Sequence, residues 1–353
     1  AFADSYVDFL ERDLRSVHPP ADTEAQSLDD LLVRVQDAYP EEAVKQIGLS
    51  TNSRRAFEFY SGERGLIYVD PFTAELRPSE HRLLRRKLHK SVEQWHRFFG
   101  LSGDKRKSGQ KVASWFNVAM IPLFMSGLIL WWPRRLRWQL FARALNPLKT
   151  NQGRGTQRSW HTALGFWVMP LLLIMVVTAT THSFELVRQA AYQFTGTSEQ
   201  RSSDSFWAFG LSPQAVAPEA KARSLESLRA IADEQTPGWT RLDIFPAPNP
   251  GEGGTSSTQL AIKVPGWGPA FFPVVLQVDP FTGELRNVHS WDDLSSGGRL
   301  LAWARWLHKG EAFGRTGQIV AGLACVVMLI LIVTGWTLAL RRLSKSVGRP
   351  SIS

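Results

Sequence analysis

Cysteine is nearly absent from this sequence, whose 353 residues include one, Cys325, inside an apolar run. A single cysteine excludes an intrachain disulfide, a cysteine-bound iron–sulfur cluster and a zinc ribbon. The Cys-x-x-Cys-His motif of a c-type haem is absent as well. No G-x-G-x-x-G motif follows a strand pattern, so a Rossmann-type nicotinamide site is not expected. These absences exclude the common cysteine-based and Rossmann-based cofactor sites.

Acidic residues are fewer than basic ones, and the imbalance is concentrated in particular segments. The chain has 41 Lys and Arg against 32 Asp and Glu, which gives a net charge of +9. The basic residues lie beside long apolar runs and are not spread over a soluble domain. This distribution favours contact with a membrane surface and argues against a nucleic-acid partner.

Three uncharged runs are long enough to cross a lipid bilayer. About 20 apolar residues suffice to span the hydrocarbon core. Tryptophans lie near the ends of the runs, where an aromatic belt would place them. The predicted spans are Val112–Trp132, Ser159–Phe184 and Thr316–Leu340.

The basic segments predict the orientation of these spans. Arg134–Arg158 holds seven Lys or Arg and no acid, and further basic residues follow Leu340. The positive-inside rule assigns both segments to the cytoplasm and both soluble blocks to the outside. Arg82–Lys111 is also basic, so the first span alone gives little bias. The opening AFADSYVDFLERDL resembles the exit of a membrane helix, which leads us to expect a further helix before Ala1.

A nine-residue phrase occurs twice: VDPFTAELR at Val69–Arg77 and VDPFTGELR at Val278–Arg286. Asp-Pro followed by Phe-Thr-Ala/Gly is typical of a tight turn after a strand. A helical pattern beginning at Ser27 has its counterpart at Ser224, and strand patterns follow each. The sequence therefore contains two copies of an α+β unit, each with one helix on a small antiparallel sheet.

The predicted fold is an α-helical integral membrane protein with two extracytoplasmic α+β domains. It has three spans in this sequence and a four-helix bundle in the intact protein. The predicted boundaries are 1–20 for the exit of the preceding helix, 21–80 for the first soluble domain, 81–111 for a basic amphipathic segment, 112–133 for a span, 134–158 for a cytoplasmic loop, 159–186 for a span, 187–290 for the second soluble domain, 291–315 for an amphipathic segment, 316–340 for a span and 341–353 for a cytoplasmic tail.

Four of the eight histidines lie near the ends of the predicted spans. His161 and His182 are 21 positions apart, which is about 31 Å along a helix and predicts opposite membrane faces. His96 and His308 stand in equivalent places of the two copies, on the outer side. Two histidines that meet across a helix bundle are the ligands that a bis-imidazole haem requires.

Other interpretations of these histidines remain open. Each could instead be an interfacial residue that bonds lipid headgroups or backbone. His161 could share a haem with a ligand on the expected preceding helix. His182 has no counterpart in the other copy, and His89, seven residues before His96, is an alternative ligand on the same helix face.

Three segments and the repeated phrase give the chain its resemblance to a known family. The segments are WHRFFGLSGDKRKSGQKV from Trp95, SGLILWWPRR from Ser126, RSWHTALGFWVMPLLLI from Arg158 and the two Asp-Pro-Phe-Thr turns. Together they resemble the PepSY-associated transmembrane proteins, in particular siderophore reductases of the FoxB and PiuB type. The resemblance implies two extracytoplasmic PepSY domains alternating with four helices. It also implies haem ligation at His96, His161 and His308; the sequence around His182 departs from the family pattern.

The implied activity is electron transfer across the bacterial inner membrane. Two non-covalent b-type haems would carry electrons from a quinol or a cytoplasmic donor to a ferric siderophore, for example a ferrioxamine-like one, in the periplasm. Reduction to Fe(II) weakens the siderophore complex and releases the iron. Two alternatives are a membrane-anchored PepSY regulator without redox chemistry and a component of siderophore transport, although uncharged spans offer little for a polar path.

Overall fold

The computed structural model describes residues 11–21, 23–41, 43–61, 65–79, 83–131, 154–198, 222–246, 258–263 and 272–347. They divide into two compact units. The sheet unit lies within residues 3–92 and 191–302, and the helical unit lies within residues 93–190 and 303–353. The predicted exit before residue 11 and most of the predicted cytoplasmic loop lie outside the described residues.

Nine α-helices occur in the described residues. In chain order they are α1 (Arg12–Arg15), α2 (Leu28–Ala38), α3 (Leu83–Phe98), α4 (Arg106–Trp131), α5 (Arg154–Ser183), α6 (Glu185–Phe194), α7 (Leu225–Gln235), α8 (Ser296–Lys309) and α9 (Gly314–Val347). Single turns of 3₁₀-helix precede α4, α8 and α9.

Three helical stretches are long and apolar enough to cross a membrane, as predicted. They are Gly103–Ile129, Thr156–Ser183 and Glu311–Ser344. Within the helical unit, α5 packs against both α4 and α9. The Asn117 side chain on α4 donates a 2.9 Å hydrogen bond to the Val176 carbonyl on α5. The apolar faces of these helices are largely exposed, as expected for surfaces that contact lipid.

The described strands form one eight-stranded antiparallel sheet. They are β1 (Val44–Ser50), β2 (Phe57–Ser61), β3 (Gly65–Val69), β4 (Leu76–Pro78), β5 (Arg241–Phe245), β6 (Thr258–Lys263), β7 (Val274–Val278) and β8 (Leu285–His289). Their order is β4-β3-β2-β1-β5-β6-β7-β8. The two predicted α+β copies are thus continuous, because β1 of the first pairs with β5 of the second. This pairing satisfies two edges that would otherwise present unpaired backbone groups.

The junction between the copies is close to twofold symmetric. Ile47 pairs with Ile244, and these residues are 197 positions apart. The cap residues of α2 and α7, Ser27 and Ser224, are separated by the same interval. A pair of equivalent residues facing each other marks the local symmetry axis between β1 and β5.

Helices α2 and α7 lie over one face of the sheet. Their buried residues join the inward-facing strand residues in one hydrophobic core, which includes Leu31, Phe59, Leu228, Leu242 and Leu276. Each helix N-terminus is also satisfied by an acid of the other copy. Leu225 N–H donates to Asp29 at 2.9 Å, and Leu28 N–H donates to Glu226 at 3.3 Å. Acids at these positions stabilise the positive ends of the helix dipoles.

The opposite face of the sheet carries a charged network at the junction. Arg241 donates to Glu58 at 2.9 Å and to Asp243 at 2.7 Å. Arg15 lies 3.2 Å from the second oxygen of Glu58. The Glu58 and Asp243 carboxylates raise the pKa of Arg241 above its ordinary value, against the effect of burial. Buried acids at this position are therefore paired with cations.

The two copies of the repeated phrase fold as the same turn. The Asp70 and Asp279 side chains each accept hydrogen bonds from the backbone N–H groups two and three residues later. An arginine seven residues on, Arg77 or Arg286, lies 3.5 Å or 2.9 Å from the second carboxylate oxygen. The phrase is thus a structural turn that ends a buried strand.

Candidate functional site

His308 lies in the last turn of α8 in the helical unit. Its Nδ1 lies 2.8 Å from the Met175 carbonyl oxygen on α5. Because a carbonyl oxygen can only accept a hydrogen bond, Nδ1 carries the proton. In the neutral ring the lone pair is then on Nε2. This is the tautomer that an imidazole needs in order to bind a metal through Nε2.

A second imidazole, that of His96 at the end of α3, faces His308. The ring centroids are 6.0 Å apart and the ring planes differ by 23°. The His96 side chain is exposed to solvent, and the protein around it disfavours its charged form. Burial lowers the pKa of both His96 and His308. Both rings are therefore neutral near pH 7, as metal ligation requires.

His182, in the last turn of α5, brings a third imidazole next to His308. Its ring centroid is 6.3 Å from that of His308, with the planes at 69°. We call His96, His182 and His308 the histidine cluster. All three belong to the helical unit.

The spacing within the cluster fits two imidazoles on opposite sides of one metal ion. A metal–imidazole nitrogen bond is about 2 Å and the ring centre lies about 1 Å further back, so two such rings have centroids about 6 Å apart. Both ring pairs in the cluster meet this condition. The described residues contain no group of three or more His, Cys, Asp or Glu arranged to hold a bare metal ion. A haem iron differs, because it needs only two axial ligands from the protein.

His161 lies near the other end of α5, where its ring contacts α9. Its Nδ1 is 2.7 Å from Thr334 Oγ1 on α9. The Thr334 hydroxyl donates its single proton to the Ile330 carbonyl at 2.7 Å. When that proton lies on the Ile330 bond, the hydroxyl oxygen accepts from His161 Nδ1–H and Nε2 is unprotonated. His161 and His308 are thus each held through Nδ1.

Gly335 leaves the space that the His161 ring occupies. A Cβ atom at position 335 would lie 3.1 Å from His161 Cε1, closer than an ordinary contact. The neighbouring Gly165 would meet only Leu331, at 3.8 Å. A side chain at position 335 would therefore displace the imidazole or break its bond to Thr334.

The structure brings three predicted ligands together and keeps one apart. His96, His182 and His308 converge, and His161 lies about 31 Å along α5 from His182. The backbone of His89 is in α3, seven residues before His96; its side chain is not among those described. Sequence reasoning missed the groups that orient the rings. Thr334 and Gly335 stand out inside an apolar run, so the sequence could have indicated the Thr334 contact. The Met175 carbonyl is a backbone group, and no residue type indicates its role.

The comparison with known families gives one finding. The sequence model of the PepSY-associated TM region matches residues 1–342. No curated protein matches the chain.

Proposed function

Because the chain belongs to the PepSY-associated TM region family, we propose that it is a haem-containing membrane reductase. It would pass electrons across the bacterial inner membrane to a ferric siderophore on the outer side and release Fe(II). The observation that carries the proposal is the pairing of imidazoles in the histidine cluster, with the His308 tautomer fixed for ligation. Three apolar helices support residence in a membrane.

The charged groups near His161 support the proposed orientation. Arg341 donates a 2.9 Å hydrogen bond to Gln157, one turn before His161 on α5. Basic residues are retained on the cytoplasmic side of inner-membrane proteins. The His161 end would therefore face the cytoplasm, and the histidine cluster would face outward.

Different residues would provide the ligands at two proposed haem sites. When bound, b-type haem supplies one-electron redox chemistry. His308, held by Met175, and His96 would provide two neutral nitrogens at the outer site. His161, held by Thr334, would provide one nitrogen at the inner site, with its partner outside the histidine cluster. The apolar helical stretches between the two ends would keep water away from these sites.

Two single substitutions in the full-length protein test this proposal. His308→Ala removes the fixed outer ligand and is expected to abolish reduction of an external ferric siderophore. His161→Ala is expected to remove the inner haem and leave the outer one. Haem content is measured by absorption of the purified proteins, and reduction by trapping Fe(II). His18→Ala, an exposed histidine of the sheet unit, is the matched control.

Each alternative function has its own outcome. A purified wild-type protein without haem contradicts the reductase and favours a membrane-anchored regulator. A haem-loaded protein that leaves the ferric siderophore unreduced contradicts the substrate while keeping the cofactor. Full haem content in both variants contradicts the assignment of the histidines.

A further inference from the structure

His308 has two possible partners, and they come from different helices. His96 at the end of α3 lies at 6.0 Å between ring centroids, and His182 at the end of α5 lies at 6.3 Å. A bis-imidazole haem uses only two axial ligands. The proposed haem site therefore needs only two of the three imidazoles of the cluster.

The hydrogen bond of His308 connects it to the helix that carries His182. Met175, whose carbonyl accepts from His308, precedes His182 by seven residues on α5. Residues seven apart lie on the same face of a helix. The His308 ring is thus held along the face of α5 that carries the His182 side chain. No comparable hydrogen bond to the His96 ring is found among the described residues.

We propose that His308 is a constant ligand and that His182 can take the axial position of His96. This inference rests on the proposed haem function and deepens it. The exchange would replace one bond from a His96 nitrogen to the iron by one from a His182 nitrogen. The oxidation state of the iron is unchanged, and a neutral His182 transfers no proton.

The two ring pairs differ in a property that spectroscopy detects. The planes of His96 and His308 are within 23° of each other, whereas those of His182 and His308 differ by 69°. In low-spin ferric haem, nearly parallel imidazoles give a rhombic EPR signal. Nearly perpendicular imidazoles give a signal with one large g-value. Replacing one partner by the other therefore changes the line shape without removing the low-spin signal.

The test uses the full-length protein as wild type, His96→Ala, His182→Ala and the double variant. We expect each single variant to keep the low-spin haem of this site. We expect His96→Ala to shift its EPR signal from the rhombic to the large-g form. The double variant should lose the low-spin signal of this site, as should His308→Ala alone. Adding imidazole to the double variant should restore the signal, which separates a lost ligand from a misfolded protein.

The contrary results are equally specific. A His96→Ala protein without low-spin haem at this site overturns the inference, because His182 then cannot replace His96. Loss in His182→Ala alone also overturns it, since His182 would then be the sole partner. A double variant that keeps the signal places the second ligand elsewhere. Wild-type protein without any haem rejects the proposed function itself.

Discussion

The two copies of the repeat share a backbone plan but differ in the groups placed on it. Both have a serine-capped helix, an antiparallel strand set and an Asp-Pro-Phe-Thr turn. Equivalent isoleucines, Ile47 and Ile244, pair across the junction. The shared positions are those that satisfy backbone groups or fill the core, and the fold depends on them in either copy.

The charged face of the sheet and the histidine pair are where the copies diverge. The second copy supplies Arg241 and Asp243 at the junction, while Glu58 comes from the first. His308 is held by a backbone carbonyl, whereas its counterpart His96 is exposed. The positions shared by the two copies therefore maintain the fold, and the copies differ at positions on which the fold does not depend.

The largest expected effect on stability comes from the asymmetric charged network. Arg241→Met leaves Glu58 and Asp243 buried with fewer partners, although Arg15 still lies 3.2 Å from Glu58. Breaking a buried ion pair costs about 3 kcal/mol at the lower end of the known range. Hydrogen exchange of the β1 and β5 amides should report this loss as reduced protection.

Arg229→Met is the matched control for that measurement. Arg229 lies on α7 and pairs with Glu226 and Asp233, whose side chains are 46% and 55% exposed. Exposed pairs contribute about 0.5 kcal/mol or less. Equal protection losses in the two variants would mean that the junction network does not stabilise the sheet.

A smaller effect is expected at the one position where the repeated phrases differ. Ala74 and Gly283 both have positive φ, 57° and 76°. Gly283→Ala introduces the left-handed strain of a Cβ, about 1–2 kcal/mol, and crowds the Arg223 side chain. Ala74→Gly relieves that strain but loses a buried methyl group worth about 0.8 kcal/mol and adds chain entropy.

The two substitutions should therefore be unequal in a thermal unfolding measurement. Gly283→Ala is expected to lower the melting temperature clearly, and Ala74→Gly to leave it nearly unchanged. Gly283→Ser serves as a second variant with the same backbone requirement and should behave like Gly283→Ala. A large stabilisation by Ala74→Gly would show that the backbone strain outweighs the methyl packing.

The elements with local signals were predictable from the sequence, and the contacts between distant elements were not. Uncharged runs indicated the three spans, and Ser27 and Ser224 indicated the helix starts. No sequence pattern indicates the pairing of β1 with β5. An edge strand and an interior strand have similar residue patterns when both faces of the sheet are covered.

The histidine site divides in the same way. Repeat spacing singled out His96 and His308, but His182 has no counterpart in the other copy. Its proximity to His308 depends on how α5 and α8 pack, and on a hydrogen bond to the Met175 carbonyl. A backbone acceptor has no residue type that a sequence could reveal.

The smallest predicted effect is a difference between the two reciprocal helix caps. Asp29 accepts from two backbone N–H groups of α7, those of Leu225 at 2.9 Å and Glu226 at 3.3 Å. Glu226 accepts from one N–H of α2, that of Leu28 at 3.3 Å, and also bonds Arg229.

Asp29→Ala should therefore cost about 1 kcal/mol and Glu226→Ala about 0.5 kcal/mol, within the range known for capping groups. Because Asp29 bonds the Glu226 backbone N–H, the two sites are in contact, and the double variant should depart from the sum of the two losses in unfolding free energy. Asp29→Asn keeps an acceptor oxygen and should recover most of the stability that Asp29→Ala loses. A larger loss of unfolding free energy in Glu226→Ala than in Asp29→Ala would contradict this prediction. The two bonds of Asp29 would then contribute less to the contact between the copies than the one bond of Glu226.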